Sequence, residues 1–297
     1  MNIHRSFPSA LAKHPALLAF ALLFSGMLAQ GAPPLVLRVP VTALNSTGNV
    51  LDIDDPRLNN KPNLKLIVTH NYGMGGAYHN SPIGVVYIGE PTNKWRINNE
   101  NGAAMTILGT NAFNVLVSSS TARVHASTSN ASGYTFFFKL RKGNPDARLL
   151  ITHLIGPFPK RTNGVFCLDP LGVFYEGAGG ITPNVWGVLN ENLAGMRTIA
   201  CNVFDATTAV HSIVHVATAG TIAANVSEIT DPVADGNPNA VLFVTHVATP
   251  AGLATNFVNK AIGVYYNGAK WTLYTEDTSA FPVNSTYNVA IFAGPTP

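Results

Sequence analysis

The sequence predicts an all-β protein with three tandem small antiparallel β-sandwich or barrel-like domains after a signal peptide. One unit of landmark residues occurs three times along the 297-residue chain. Short runs rich in Val, Ile and Leu, bounded by Gly, Pro or Asn, are typical of β-strands. No window keeps the apolar pattern of an amphipathic helix for three turns. The 26 glycines and 20 prolines supply the turns that many short strands require.

The beginning of the chain has the three-part layout of a secretory signal peptide. Arg5 and Lys13 precede an apolar run at residues 16–24, and small residues surround Ala29 and Gly31. The apolar run is too short to span a bilayer, which takes about 20 helical residues. We therefore expect residues 1–31 to be removed. We expect the mature protein to be secreted, extracellular or at the cell surface, and to have no transmembrane segment.

The charge of the chain excludes several classes of protein. The predicted signal peptide holds two of the 18 Lys and Arg residues and none of the 15 Asp and Glu residues, which leaves the mature chain at +1, from 16 positive and 15 negative side chains. A chain so close to neutral lacks the basic surface of a nucleic-acid-binding protein. Charged residues make up 11% of the chain, against roughly 25% in average proteins, which excludes a coiled coil or a charged disordered tail.

Each copy of the repeated unit has five landmarks in one order: Thr-His, Gly-Val-x-Tyr, a Trp, a Glu five residues later, and Asn-Val. The Thr-His pairs are Thr69-His70, Thr152-His153 and Thr245-His246. The later landmarks include Trp95, Trp186 and Trp271, and then Glu100, Glu191 and Glu276. The landmarks divide the chain into repeat 1 (32–118), repeat 2 (119–206) and repeat 3 (207–297). Each repeat is near the size of an immunoglobulin-like domain and can bury a small core.

The tryptophans are expected in the cores of the three repeats. A Trp at one recurring strand position is typical of a core residue whose indole N–H donates to a backbone carbonyl, and the alternative is a platform on which sugars stack. Asn267-Gly268 separates the third Gly-Val-x-Tyr element from Trp271 and is a type I′ hairpin signal. It predicts that the strands on either side of it pair antiparallel.

Two cysteines, Cys167 and Cys201, belong to a chain that is predicted to reach an oxidising compartment. A disulfide between them is the expectation in that setting. Closing the loop between them would stabilise the fold by about 3 to 4 kcal/mol. The alternative is two buried free thiols that pack as small apolar groups.

The histidines of the Thr-His pairs are the first candidates for a site, because a His at the end of a strand can act as a base or a metal ligand. The loop after the first pair adds polar and aromatic side chains. The candidate binding residues are His70, Asn71, Tyr72, Tyr78, His79, His153 and His246. A structural alternative is that each His bonds a neighbouring strand or is oriented by the recurring Glu. Catalysis needs different residues at one place, so a hydrolase using His70 or His79 with Glu100 is the least favoured hypothesis.

We predict no catalytic residues, no metal site and no cofactor. Calcium is conceivable only near Asp52 and Asp54, which share one strand face, together with the adjacent Asp55. The second copy has cationic residues in that region, namely Lys139, Arg141 and Lys142. A calcium site there would therefore not belong to the repeated design.

The order T-H-N, P-I-G-V-x-Y, W, N-E and F-N-V is closest to complete in the first copy. It resembles a tandem β-repeat family of uncharacterised secreted bacterial proteins, and the resemblance covers nearly the whole mature chain. Copies two and three depart from it, with Leu154 and Val247 in place of Asn71. The resemblance implies secretion and tandem β domains, and it implies no activity and no functional residues.

Two hypotheses of function follow. The first is a secreted or cell-surface, non-enzymatic structural protein that assembles with itself into an extracellular polymer or matrix, for example through unpaired strand edges. The alternative is an adhesin- or lectin-like module that binds extracellular polysaccharide or another surface. Exposed Tyr72 and Tyr78 and their equivalents in the other copies would then form three weak sites that gain strength through multivalency.

Overall fold

Twenty β-strands form the regular structure of the residues described by the computed structural model, and these residues contain no helix. The model describes residues 34–118, 122–125, 132–137, 139–156, 164–250 and 253–296. The predicted signal peptide lies outside them. The predicted all-β fold class is confirmed, and the chain from Pro34 onward forms one compact unit.

The strands fall into three matched series, one for each repeat. Repeat 1 contains β1 (Leu35–Pro40), β2 (Ser46–Thr47), β3 (Val50–Ile53), β4 (Lys65–Asn71), β5 (Ile83–Ile88), β6 (Lys94–Asn99) and β7 (Ala112–Ser118). Repeat 2 contains β8 (Ala122–His125), β9 (Tyr134–Phe136), β10 (Leu149–Leu154), β11 (Leu171–Glu176), β12 (Val185–Asn190) and β13 (Ala200–Asp205). Repeat 3 contains β14 (Ser212–Val216), β15 (Ile222–Ala223), β16 (Val226–Glu228), β17 (Val241–Thr249), β18 (Ile262–Tyr266), β19 (Trp271–Thr275) and β20 (Thr286–Phe292).

Each repeat folds as two half-sheets whose strands pair antiparallel. In repeat 1 the inner half-sheet has the order β1-β7-β4 and contains the Thr-His and Asn-Val strands. The outer half-sheet has the order β2-β3-β6-β5 and contains the Gly-Val and Trp strands. Apolar side chains from both halves, such as Leu66, Val115, Val85 and Trp95, form one buried core. Each repeat is therefore a small β-sandwich.

The half-sheets continue from one repeat into the next through parallel strand pairs. The end of β4 pairs with β18, the end of β10 with β5, and β17 with β11. The result is three sheets of seven, seven and six strands, each built from two repeats. We name the three junctions after their histidines: the His70 seam joins repeats 1 and 3, the His153 seam joins 2 and 1, and the His246 seam joins 3 and 2. Because each repeat meets both others in the same way, the three form a closed ring with approximate threefold symmetry.

A fourth core lies where the three inner half-sheets meet. The Thr-His strands contribute Ile67, Leu150 and Phe243, one from each repeat, and the Asn-Val strands add residues such as Phe204. The two ends of the described chain also meet, since the Thr296 N–H donates to the Val36 carbonyl (2.7 Å). The Val36 N–H donates in return to Thr296 Oγ1 (2.9 Å). The predicted domain boundaries at 118/119 and 206/207 stay a prediction. Each sheet contains strands from both sides of at least one of these boundaries.

Candidate functional site

The threonines of the Thr-His pairs join the three repeats around the approximate threefold axis of the ring, near the fourth core. Successive side chains of a strand point to opposite faces, so Thr and His of one pair have different surroundings. Each Thr hydroxyl accepts a backbone N–H from the Thr-His strand of another repeat. The donors to Thr152, Thr245 and Thr69 are Val68, Ile151 and Val244, at 2.9, 3.0 and 3.1 Å. These bonds form a closed cycle that satisfies three backbone N–H groups, of which those of Val68 and Ile151 are buried and that of Val244 is part-buried.

The asparagines of the Asn-Val landmarks form a second cycle. Asn114 Nδ2 donates to the Leu242 carbonyl at 3.0 Å, which joins repeat 1 to repeat 3. The matched bonds run from Asn202 to Leu66 (3.1 Å) and from Asn288 to Leu149 (3.0 Å). Buried amides that bond to backbone in this way hold neighbouring strands in register.

The recurring His and Glu meet across the seams, each pair drawn from two repeats. His70 Nδ1 lies 2.6 Å from Glu276, His153 Nδ1 lies 2.8 Å from Glu100, and His246 Nδ1 lies 2.6 Å from Glu191. All six side chains are buried. The second oxygen of each Glu accepts a backbone N–H from a residue in the loop after the Thr-His strand. These donors are His79, Cys167 and Val258, at 2.7, 2.6 and 2.8 Å.

The glycine of each Gly-Val-x-Tyr element is explained by the same carboxyl group. Gly84 packs against Glu100, Gly172 against Glu191 and Gly263 against Glu276, and a Cβ at any of them would overlap the carboxyl oxygen. Only glycine lets the strand approach the carboxyl group so closely. Most landmarks that recur in the sequence therefore meet in one arrangement, which occurs once in each seam. We call this arrangement the joint: the His and Thr of one repeat with the Glu and Gly that contact the His or its neighbours from another repeat.

The geometry separates the residues of the hydrolase hypothesis. His70 bonds to Glu276, whereas Glu100 bonds to His153 in a different seam. His79 lies against His70, with ring centroids 4.9 Å apart, and its Nε2 lies 2.6 Å from Asn99 Oδ1. Burial, and next the proximity of His70, lower the pKa of His79 to about 4. The Nε2 atoms of His70, His153 and His246 are buried and have no hydrogen-bond partner among the described residues.

The predicted aromatic residues come together with two tyrosines that the sequence analysis did not single out. Tyr72 and Tyr78 of repeat 1 line a cavity of about 190 Å³ with Tyr265 and Tyr274 of repeat 3. Val226 completes the lining of this tyrosine pocket. The sequence signals Tyr265 and Tyr274 only through the run of tyrosines in the third copy. Their role could not be read from that run, because Tyr72 and Tyr78 lie in another repeat. Asn71 stays outside the pocket, since its Nδ2 donates to Asn114 Oδ1 (3.1 Å) and its Oδ1 accepts the Gly73 N–H (2.9 Å).

The other two seams do not reproduce the tyrosine pocket. The residues at the positions of Tyr72, Tyr78, Tyr265 and Tyr274 are Ile155, Phe166, Val86 and Asn98 in the His153 seam. In the His246 seam they are Ala248, Phe257, Phe174 and Leu189. The tyrosine pocket is therefore not repeated in the described residues, whereas each seam has one exposed aromatic side chain at the position of Tyr78, namely Tyr78 itself, Phe166 or Phe257. The multivalent hypothesis stays a prediction.

The cysteine prediction requires a correction. Cys167 and Cys201 are both free and buried, so the expected disulfide is not found, and the alternative of two buried thiols describes them. The reason lies in packing. The equivalent positions in repeat 1 hold two rings, His79 and Phe113, whose centroids are 5.3 Å apart. The thiols fill the same buried space, and burial raises the pKa of Cys167 to about 12.

The three tryptophans are buried in separate cores, one in each repeat. Each indole N–H donates to the carbonyl of the residue before a turn proline. The acceptors for Trp95, Trp186 and Trp271 are Lys61, Asn144 and Asn237, at 3.1, 2.8 and 2.8 Å. With only 1 to 2% of their surface exposed, these rings offer no platform for sugars.

The aspartates near residue 52 are all engaged by cations of the protein. Asp52 pairs with Arg96 (2.6 Å), Asp54 with Lys94 (2.7 Å) and Asp55 with Arg57 (2.9 Å). Among the described residues, no three His, Cys, Asp or Glu side chains are grouped as metal ligands. The same part of the chain has no helix that is long and apolar enough to cross a membrane.

Comparison with known proteins identifies the family to which the chain belongs. The family model described as Domain of unknown function (DUF7452) matches three times, over residues 24–117, 90–200 and 180–291. Three matches along one chain confirm a tandem repeat. No curated protein and no solved structure matches the chain.

Proposed function

We propose that this chain, which belongs to the DUF7452 family, is a secreted, non-enzymatic structural protein that assembles with further copies of itself. The observation that carries the proposal is the placement of its exposed apolar side chains. They are concentrated in the loops at one end of the ring. The predicted signal peptide supports secretion.

The seams support a structural role. The recurring Thr, His, Glu and Asn side chains are buried and bond to groups of another repeat, so they join three small sandwiches into one body. A small domain alone buries too little surface for high stability, and sharing sheets and an axial core offsets that deficit. The chain is thus suited to act as a preassembled building block.

The loops that surround the seams form what we call the loop end. They follow the Thr-His strands or precede the Asn-Val strands, and in repeat 1 the two loops are bonded, since the Ala77 N–H donates to Asn111 Oδ1 (2.9 Å). The loops of the three repeats converge near the axis. A cavity of about 130 Å³ is lined by Pro82, Pro170 and Ala261, which occupy matched positions at the ends of the three loops.

Most of the large apolar side chains that are exposed in the described residues lie at the loop end. They are Met74, Tyr78, Ile107, Leu108, Phe166, Leu168, Leu193, Leu253, Phe257 and Val283. The loops of repeat 1, residues 72–82 and 101–111, contain no Lys, Arg, Asp or Glu. Concentrated apolar surface of this kind marks interaction sites, and the mature net charge of +1 opposes contact between copies only weakly.

Sedimentation of the purified mature chain over a range of concentrations tests the proposal. We expect oligomers or larger assemblies that dissociate in the variant Met74→Ser/Ile107→Ser/Leu108→Ser. The matched control is Leu44→Ser/Ile181→Ser, which removes two exposed apolar side chains from other loops and should assemble like the wild type. A wild-type chain that is monomeric at every concentration, or a control that dissociates equally, would contradict the proposal.

A further inference from the structure

We propose that the tyrosine pocket binds a quaternary ammonium group, such as the cationic head of a choline-like or betaine-like ligand. The pocket lies in the His70 seam, between repeats 1 and 3. The proposal does not require self-assembly, because it rests on the rings that line the pocket and on the carboxyl group behind them, although one of these rings, Tyr78, also belongs to the loop end.

The four tyrosine rings line the pocket and contact one another at steep angles. Tyr72 contacts Tyr78, Tyr265 and Tyr274 with centroid distances of 5.4, 5.6 and 5.7 Å, and the planes of these pairs are inclined by 63°, 77° and 82°. Tyr78 contacts Tyr274 at 5.7 Å and 70°. Rings set at steep angles to one another present their faces and edges around a small space. A compact, rounded group can contact several rings there at once.

The size of the pocket agrees with a small group. Its volume of about 190 Å³ is below the roughly 300 to 1,000 Å³ of pockets for drug-sized ligands. The lining consists of the four tyrosines and Val226, with no Lys or Arg. A ligand cation therefore meets no like charge in the lining.

A carboxyl group lies directly behind one wall. The Tyr274 hydroxyl donates to Glu276 Oε1 (2.8 Å), and the His79 N–H donates to Glu276 Oε2 (2.7 Å). Both oxygens of this carboxyl group therefore accept hydrogen bonds, one of them from a ring that lines the pocket. The position of Glu276 directly behind Tyr274 favours a cationic ligand in the pocket.

Two of the four tyrosines have a raised pKa, which favours the neutral phenol in these two side chains. The pKa of Tyr72 is raised by burial and then by Tyr78, Tyr265 and Glu276. The pKa of Tyr274 is raised well above its usual value, first by burial and next by Glu276. A neutral phenol ring has an electron-rich face that attracts a cation within about 6 Å, and quaternary ammonium ligands are recognised in this way.

A pyranose fits the pocket less well than a cation does. Sugar rings stack on a flat, open aromatic face and need several hydrogen-bond partners for their hydroxyl groups. Here the rings are steeply inclined, the Tyr274 hydroxyl donates to Glu276, and Asn225 Nδ2 donates to the Tyr78 hydroxyl (3.3 Å). The observations therefore favour a cation in this pocket over the polysaccharide that the sequence offered as one alternative.

Calorimetric titration of the mature chain with choline chloride tests the proposal. The matched ligand is 3,3-dimethylbutan-1-ol, which has the same shape without the charge, and glucose is the sugar probe. We expect saturable binding of choline, binding of the neutral analogue that is at least about tenfold weaker, and no binding of glucose. The comparison of ligands uses the wild-type chain and therefore does not depend on the folding of any variant.

Two variants locate the site. Tyr265→Val introduces the residue that repeat 1 has at the matched position, Val86, and should weaken choline binding roughly three- to thirtyfold. The control Phe174→Val makes the same change at the matched position of the His246 seam and should leave binding unchanged. Tyr78→Ala serves as a second variant, since Tyr78 is the most exposed of the four rings at 41%. Sedimentation with phosphatidylcholine vesicles separates a lipid head group from a soluble ligand of the same chemistry.

Four results would overturn the proposal. One is the absence of saturable choline binding to the wild-type chain. Another is equal affinity for the neutral analogue, which would mean that the pocket is merely apolar. The third is tighter binding of glucose than of choline. The fourth is a loss of choline binding in Phe174→Val that equals the loss in Tyr265→Val.

Discussion

The His70 seam and the His153 seam contain the same joint in different surroundings. Both have a parallel strand pair, a buried His–Glu contact across two repeats and a Thr hydroxyl that accepts an N–H of another repeat. Around the joint, the His70 seam has His79 and four tyrosines, whereas the His153 seam has Cys167 and, at the positions of the tyrosines, Ile155, Phe166, Val86 and Asn98. The recurring residues therefore join the repeats. The residues that do not recur make one seam chemically different from another.

The largest effect should follow removal of the carboxyl group from either seam. Glu100→Ala and Glu276→Ala each leave a buried imidazole and a buried N–H without an acceptor, and we expect a loss of about 3 to 5 kcal/mol in the free energy of unfolding. The loss should be larger for Glu276→Ala, because the Tyr274 hydroxyl also loses its acceptor. Urea denaturation measures both, with exposed Glu90→Ala as the control. Losses near that of the control would show that the joint does not hold the repeats together.

The next largest effect is a dependence of stability on pH that only the His70 seam should contribute through His79. The pKa of His79 is about 4 in the folded protein and about 6.5 in the unfolded chain. Between these values the unfolded state binds more protons, so stability is complete above about pH 6.5 and is lost as the pH falls towards 4, by roughly 3 kcal/mol.

Urea denaturation of His79→Gln at several pH values measures this contribution. The variant should show a flatter stability profile between pH 6.5 and 4 than the wild type. Cys167→Ala changes the matched position of the His153 seam, where the thiol does not titrate in this range, and it should keep the wild-type slope. Parallel profiles for His79→Gln and the wild type would contradict the assignment.

A smaller effect should be the same in every seam. Thr152→Val keeps the shape of the side chain but leaves the buried Val68 N–H without its acceptor, and Thr69→Val does the same to Val244. We expect each to lower the free energy of unfolding by about 1 to 3 kcal/mol. Thermal and urea unfolding check the values. A large loss for one variant with none for the other would break the equivalence of the joints.

Adding a reductant, which would break a disulfide in the His153 seam, should not change the stability of the protein. Because Cys167 and Cys201 are free, a reductant should leave the free energy of unfolding unchanged, whereas a disulfide would be worth about 3 to 4 kcal/mol. Mass spectrometry after alkylation at pH 8 checks the thiols, which should react in urea and resist in the folded chain. A pair that cannot be alkylated even in urea without reductant would mean that they are bridged.

The tryptophans occupy cores, as the sequence predicts. The recurring histidines and glutamates meet in the way stated as the structural alternative. The partners were not predictable, because Glu100 stands closer in the chain to His70 than to His153, which it contacts. Tyr265 and Tyr274 were missed for the same reason. Their importance depends on Tyr72 and Tyr78, which lie far away in the sequence.

The strands, the turns and the threefold recurrence of the landmarks can all be predicted from the sequence. They follow from local patterns, in which alternation and turn residues define an extended segment and its buried face. The pairing of the repeats, the parallel junctions, the free thiols and the tyrosine pocket of one seam are visible only in the folded protein, because the pattern of a strand specifies its buried face but not its neighbour. The neighbour is selected by long-range packing at the seams and around the axis.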